Sequence, residues 1–178
     1  LPYLRGRGIN LIDLMVISHS DSDHIGGAAT LLQEIHFDLM MGSLPIRNPL
    51  LVNLKKRQIP SIPCRYGQHW IWDGVEFYIW HPHEFTNFEE KGSEKPNEMS
   101  CVLEVRNRSH SFWLTGDVER QGESEIDERL TEVALRELKD KNLIFMAPHH
   151  GSKTSSSLEL LRKLEPDTAF AQNGYRNR

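Results

Sequence analysis

The stretch Ser18-His19-Ser20-Asp21-Ser22-Asp23-His24-Ile25-Gly26-Gly27 most narrows what this chain can fold into. It sets two imidazoles and two carboxylates within six residues. It follows the apolar run Leu11-Ile12-Asp13-Leu14-Met15-Val16-Ile17, which reads as a buried strand. Gly26, Gly27, Ala28 and Ala29 then lead into Leu31 and Leu32, the start of a helix over 26–35. The polar cluster therefore sits at the C-terminal end of a strand, where open α/β sheets place ligand sites. Four such side chains on one turn can converge on one or two divalent cations. Without a cation, Asp21 and Asp23 would repel each other. A solvated loop accounts for a single Asp-His pair. It accounts poorly for the whole pattern between a strand and a Gly-Gly helix start.

The 178 residues suit one domain, or most of one, with a substantial core. A hydrophobic fraction of 38% and a mean hydropathy of −0.51 suit a soluble globular domain. No apolar run is long enough to span a bilayer. The opening Leu1-Pro2-Tyr3-Leu4 has neither a basic leader nor an initiator Met, so the chain reads as a domain excised from a longer one. Cys64 and Cys101 lack zinc-finger spacing, and two buried free thiols are expected. A disulfide would need an oxidising compartment and a fold that brings them together. The net charge of −4 argues against a broad nucleic-acid-binding face. The local basic clusters, Lys55-Lys56-Arg57, Arg106 with Arg108, Lys153, and Arg176 with Arg178, each read alone as solvated surface. Bound divalent cations would outweigh nearby side chains in the local sum.

Further along, Phe37–Met41 reads as a strand and Leu50–Lys56 as a short helix. Trp70–Trp80 reads as a hairpin turning at Asp73-Gly74. Residues 83–99 read as a mobile polar loop. Cys101–Arg106 and Ser111–Thr115 form a second hairpin. Asp127 is expected to cap one helix running to about Lys141, with Leu130, Val133, Ala134 and Leu138 as its apolar stripe. Leu143–Ala147 reads as a buried strand. Ser156 with Glu159 resembles a capping box opening a helix that stops before Pro166, and Thr168–Gln172 is the last strand. Hairpins mixed with strand–helix units suit a pair of sheets with helices outside, in the α/β class.

Two more segments carry chemistry. Asp117 follows a strand and Gly116, so its carboxylate can approach a metal closely. His149 and His150 end a buried strand and precede Gly151-Ser152-Lys153-Thr154-Ser155, whose hydroxyls, lysine and helix-start N–H groups suit a phosphate oxygen. His69 is expected to pack. His81 and His83 are expected to line the mouth of the cleft.

The His19–His24 segment resembles the signature of the metallo-β-lactamase superfamily, with Asp21 in place of its second His. That departure is similar to the soluble domain of the ComEC family of bacterial DNA-uptake channel proteins. Leu4–Ile9, Asn97–Leu103, Phe112–Asp117 and Ala147–Ser155 resemble further motifs of that domain, in order. The resemblance implies an αββα sandwich, incomplete at both ends. Earlier strands and a later His of the family lie outside residues 1–178. It also implies a domain of an inner-membrane channel polypeptide, itself outside the cytoplasm. DNA and the channel domain of the same polypeptide would then be its partners.

On this reading the metal ligands are His19 and Asp21 at one ion, Asp23 and His24 at the second, Asp117 bridging, and His149. Asp23, Asp117 and His150 carry the catalysis, and the sequence leaves His149 and His150 exchangeable. Ser152, Lys153 and Thr154 are the substrate contacts, with Asn97 and Ser100 near the place of the superfamily's third His. Two divalent ions are expected. Manganese is favoured over zinc because Asp21 makes the set harder. No organic cofactor is called for. The implied activity is metal-dependent phosphodiester hydrolysis, specifically by a DNA nuclease that degrades one strand during uptake in natural transformation. Another hydrolase of the superfamily, or a non-catalytic DNA-guiding module, is the alternative.

Overall fold

A computed structural model describes residues 1–83 and 95–174. Its elements run α1 (Pro2–Gly6), β1 (Leu11–Ile17), α2 (Ser22–Ile25), α3 (Ala28–Glu34), β2 (His36–Gly42), α4 (Pro49–Lys56) and β3 (Ser61–Pro63). Then follow β4 (His69–Trp72), β5 (Val75–His81), β6 (Val102–Arg106), β7 (His110–Leu114), α5 (Arg120–Arg129) and α6 (Glu132–Lys139). The last are β8 (Asn142–Met146), α7 (Leu158–Leu164) and β9 (Thr168–Phe170).

Helical crossovers join β1 to β2 and β2 to β3, giving a three-stranded parallel sheet. Tight turns join β4 to β5 and β6 to β7, the longer link over 82–101 joins β5 to β6, all three pairs being antiparallel, and the crossovers through α5–α6 and α7 add β8 and β9 in parallel. The Asp73-Gly74 turn has positive φ at both residues, 47° and 77°, as a tight two-residue hairpin requires.

Strand alternation sorts the core into layers. Along β5, Phe77 and Ile79 join Met41, Cys64, Cys101 and Leu103 between the sheets. Tyr78 and Trp80 face outward to Trp113, Ile126, Leu143 and Leu160 under α5, α6 and α7. On the far side, Ile17, Leu32, Phe37 and Leu54 seal α3 and α4 against the small sheet. The order is helices, sheet, sheet, helices: the αββα sandwich expected from the sequence.

Several local expectations are corrected. The helix from Asp127 to Lys141 is two helices. Asp127 lies inside α5, its carboxylate 2.9 Å from Lys163 Nζ, and Thr131 caps α6 by accepting from Ala134 N–H. The capping box at Ser156 is replaced by a non-local cap. Fully buried Glu123, on α5, accepts the N–H groups of Ser156 and Ser157 at 2.6 and 2.7 Å. Of the loop expected over 83–99, residues 84–94 lie outside the described residues, and Pro96–Met99 forms a 3-10 turn with Met99 in the interior. Arg176 and Arg178 also lie outside them. Arg106 is no free basic patch, since it pairs with Glu76 and Glu137. The free-thiol expectation fails as well: Cys64 and Cys101 form a disulfide, their Cα atoms 5.8 Å apart. It ties the end of β3 to the start of β6 across the seam between the sheets.

Candidate metal centre

Three strand ends deliver the site. β1 ends at the His19–His24 turn, β7 at Gly116-Asp117, and β8 at Ala147–Gly151. The turns are stitched together by backbone bonds. Cys101 N–H donates to Ser18 C=O at 2.8 Å, and His149 N–H donates to Gly116 C=O at 3.1 Å. Gly116 has φ +55°, and a Cβ there would come within 2.7 Å of Ser18 Cβ and 3.2 Å of Ser100 Cβ. Only glycine lets the Asp117 turn close against β1.

Asp117 is nearly buried and stands between two groups of donors. Its Oδ1 lies 3.0 Å from His24 Nε2, and its Oδ2 lies 3.6 Å from His150 Nε2 and 3.9 Å from His19 Nε2. Asp23, His24, Asp117 and His150 each bring one ligand atom into a group whose members all lie within 4.8 Å of one another. On the other side, His19 Nε2 lies 3.7 Å from Asp21 Oδ2. The Nε2 atoms of His19 and His24 are buried and make no hydrogen bond. The short His24–Asp117 approach is therefore one of charge and distance, without the alignment of a bond. Buried nitrogens left unpaired beside carboxylates are what a divalent cation would satisfy. Asp23, His24, Asp117 and His150 fit a divalent cation.

The electrostatics agree. Burial lowers the pKa of His19, keeping it in the neutral form a metal needs, although Asp117, Asp21 and Asp23 pull the other way. The Asp117 carboxylate raises that of His24 against the effect of burial. Burial opposes ionisation of Asp117, but His24, His19 and His150 carry its pKa below the usual range. Asp23 is lowered too, chiefly by its own backbone N–H.

The His149–His150 pair divides. Both residues adopt left-handed backbone, φ 49° and 54°, a strained choice that recurs at functional turns. The turn sends His150 to Asp23, at 3.1 Å, while His150 Nδ1 meets Gln172 C=O at 2.8 Å. His149 turns away, its Nδ1 3.2 Å from both Glu119 Oε1 and Thr154 Oγ1. Geometry thus brings His150 to the donor group and leaves His149 outside it, the reverse of the first assignment.

The phosphate-suited loop is also redrawn. The N–H groups of Ser156 and Ser157, just ahead of α7, are taken by Glu123 and are not free for a phosphate. Ser155 is buried, its hydroxyl donating to Pro148 C=O. Ser152, Lys153 and Thr154 remain at the surface, the Thr154 hydroxyl donating to Glu119 at 3.0 Å. Ser100 is fully buried and closed to a substrate. Its hydroxyl accepts Asp117 N–H at 3.1 Å and lies 3.3 Å from His19 Nδ1. Asn97 sits in the 3-10 turn with its Oδ1 buried and unbonded. His81 does not line a cleft. It is buried, and its Nδ1 meets Ser100 C=O at 2.8 Å. His83 is exposed beside Tyr66, and His69 is half-exposed beside Glu76. Sequence reading missed Ser18, Glu119 and Glu123. Ser18 is signalled by its place directly before His19. The other two, on a loop and a helix, carry no local signal.

Comparison with known proteins accords with this geometry. A family model described as the metallo-beta-lactamase superfamily matches residues 1–172. The chain is 32% identical over 177 residues to "Recombination protein 2" of Haemophilus influenzae, covering 99% of this chain and 19% of that protein. It is 29% identical to "Competence protein ComA" of Neisseria gonorrhoeae, covering 99% of this chain and 22% of that protein. It is 27% identical to "ComE operon protein 3" of Bacillus subtilis, covering all of this chain and 22% of that protein. The chain thus spans about a fifth of the length of these relatives. Among solved structures, a variant of CmlA beta-hydroxylase aligns with a TM-score of 0.54 at 11% identity, over 90% of this chain and 36% of that one. Matched by the family model over nearly its whole length, the chain belongs to the metallo-beta-lactamase superfamily.

Proposed function

We propose that this chain is a metal-dependent phosphodiesterase, a DNA nuclease that degrades one strand during uptake in natural transformation. The observation that carries the reading is Asp117, set between His19 and Asp21 on one side and Asp23, His24 and His150 on the other. These six residues would hold two divalent cations. When bound, such a pair neutralises charge on a phosphodiester and makes water acidic enough to ionise near neutral pH. Manganese suits the three carboxylates better than zinc does.

The chain's own groups supply the rest. Asp117 and Asp23 fix the spacing of the two donor groups. Lys153 and the Ser152 hydroxyl stand on the turn beside His150 and can hold the non-reacting phosphate oxygens, while the Thr154 hydroxyl is engaged by Glu119. His149, oriented by Glu119, faces the same turn. The names of the relatives, a recombination protein and a competence protein, favour DNA as the polymer. The resemblance to the DNA-uptake channel family favours attachment to a membrane channel, with this domain outside the cytoplasm of the bacterial inner membrane. The Cys64–Cys101 disulfide supports an oxidising compartment.

The test is cleavage of single- and double-stranded DNA by the metal-loaded protein, beside Asp23→Ala. Metal-dependent cleavage lost in the variant is expected. Cleavage of small esters or lactones but not of DNA would favour another hydrolase of the superfamily. Metal binding with no hydrolysis at all would favour a DNA-guiding module.

A further inference from the structure

Ser18 closes β1 and stands between the two histidines of the motif. Its Oγ lies 3.1 Å from His19 Nδ1 and 3.1 Å from His24 Nδ1. The two rings are close, their centroids 4.2 Å apart. Both present the opposite nitrogen, Nε2, buried and unbonded, toward the carboxylates. A hydroxyl oxygen has two lone pairs and can accept from two N–H donors at once. If both rings carry their proton on Nδ1 and donate it to Ser18, both Nε2 lone pairs face the cations.

We propose that Ser18 is a positioning residue that orients His19 and His24 together, one hydroxyl serving the ligands of two different ions. This rests on the reading of both histidines as ligands. Ser100 supports His19 alone, at 3.3 Å, and no other hydroxyl meets His24 Nδ1 among the described residues. The arrangement also explains the bare Gly116, because Ser18 Cβ occupies the space a side chain there would need. Its consequence is coupling. Two metal sites that share a supporting oxygen weaken together when that oxygen is removed, although no ligand has been touched.

The experiment compares Ser18→Ala and Ser100→Ala with the wild-type chain in two measurements. Calorimetric titration with Mn²⁺ reads affinity. Imidazole N–H resonances of the Zn²⁺-loaded protein, which is diamagnetic, read the hydrogen bond of each ring. Ser18→Ala should weaken Mn²⁺ binding about 10–100-fold, the usual effect of losing a group that supports a ligand. It should shift the Nδ1–H signals of both histidines, whereas Ser100→Ala should shift that of His19 only. A general loosening of the fold would not give that selectivity. Mn²⁺ affinity within about threefold of wild type in Ser18→Ala, or a shift at one ring alone, overturns the assignment of Ser18. Absence of metal uptake by the wild type overturns the ligand reading and this inference with it. Should Ser18→Ala fail to fold, the wild-type spectrum decides. Hydrogen-bonded Nδ1–H signals at both rings uphold the proposal, and a freely exchanging one at either ring overturns it.

Discussion

Asp117 concentrates the demands of the site in one side chain. It approaches three imidazoles from a nearly buried position, and its backbone N–H is fixed by Ser100. Asp117→Ala should therefore lower hydrolysis by roughly a thousandfold or more and weaken uptake of both ions, with the fold retained. Manganese titration with circular dichroism would check this, and near wild-type turnover would mean that the site is misplaced. The two neighbouring histidines should separate in the same assays. His150→Ala should cost metal affinity about 10–100-fold. His149→Ala should leave affinity intact and slow turnover, because its ring turns to Glu119 and Thr154. At this scale the motif was legible in the sequence because its ligands are close along the chain. The choice between His149 and His150 was not. It depends on two left-handed backbone residues that no side-chain pattern announces.

At the scale of elements, the start of α7 depends on a carboxylate from α5. Glu123 takes the N–H groups of Ser156 and of the N-cap Ser157, the two residues that lead into the helix. Glu123→Ala should cost about 3 kcal/mol in urea unfolding, and Glu123→Gln less, since an amide oxygen still accepts one of the bonds. Equal loss in both variants would mean that packing, not capping, sets the cost. The cap also shows why local reading fell short. Ser156 and Glu159 have the spacing of a capping box, but a residue more than thirty positions away had already met the need. The long helix drawn from Asp127 failed for a related reason. The apolar stripe continues in phase past Leu130, and only the Thr131 cap reveals the break. Strands with tight turns were read well, because Asp73-Gly74 and the alternating β5 residues encode their own geometry.

For the whole molecule, the ligands come from both sheets, so metal binding and sheet docking are linked. Saturation at about a thousand times Kd should add about 4 kcal/mol of stability, or roughly 10 °C in Tm for a chain of this size. Thermal melts with manganese and with chelator would test that, and an unchanged Tm would argue against a metal site at the seam. The metal-free protein should lose stability in acid. Asp117 and Asp23 have folded-state pKa values below the ordinary 3.8. Their contribution is present above that value and is lost as pH falls through the folded-state pKa. Near pH 6.5, His19 and His24 move in opposite directions, so their effects oppose one another there. Urea unfolding of chelated protein as a function of pH would check the acid limb. The disulfide was not legible in the sequence because only the docked sheets bring Cys64 and Cys101 together.

The spread of the ligands along the chain also sets an order in time. Asp23 and His150 meet although they stand 127 positions apart. A ribosome releases the His19–His24 turn long before the residues that complete the centre. A half-made chain holds His19, Asp21, Asp23 and His24 but neither Asp117 nor His150. On the proposed reading, a nascent chain still tethered in the cytoplasm would lack a complete cutting centre, and the chromosome beside it would be spared until the ribosome had passed His150.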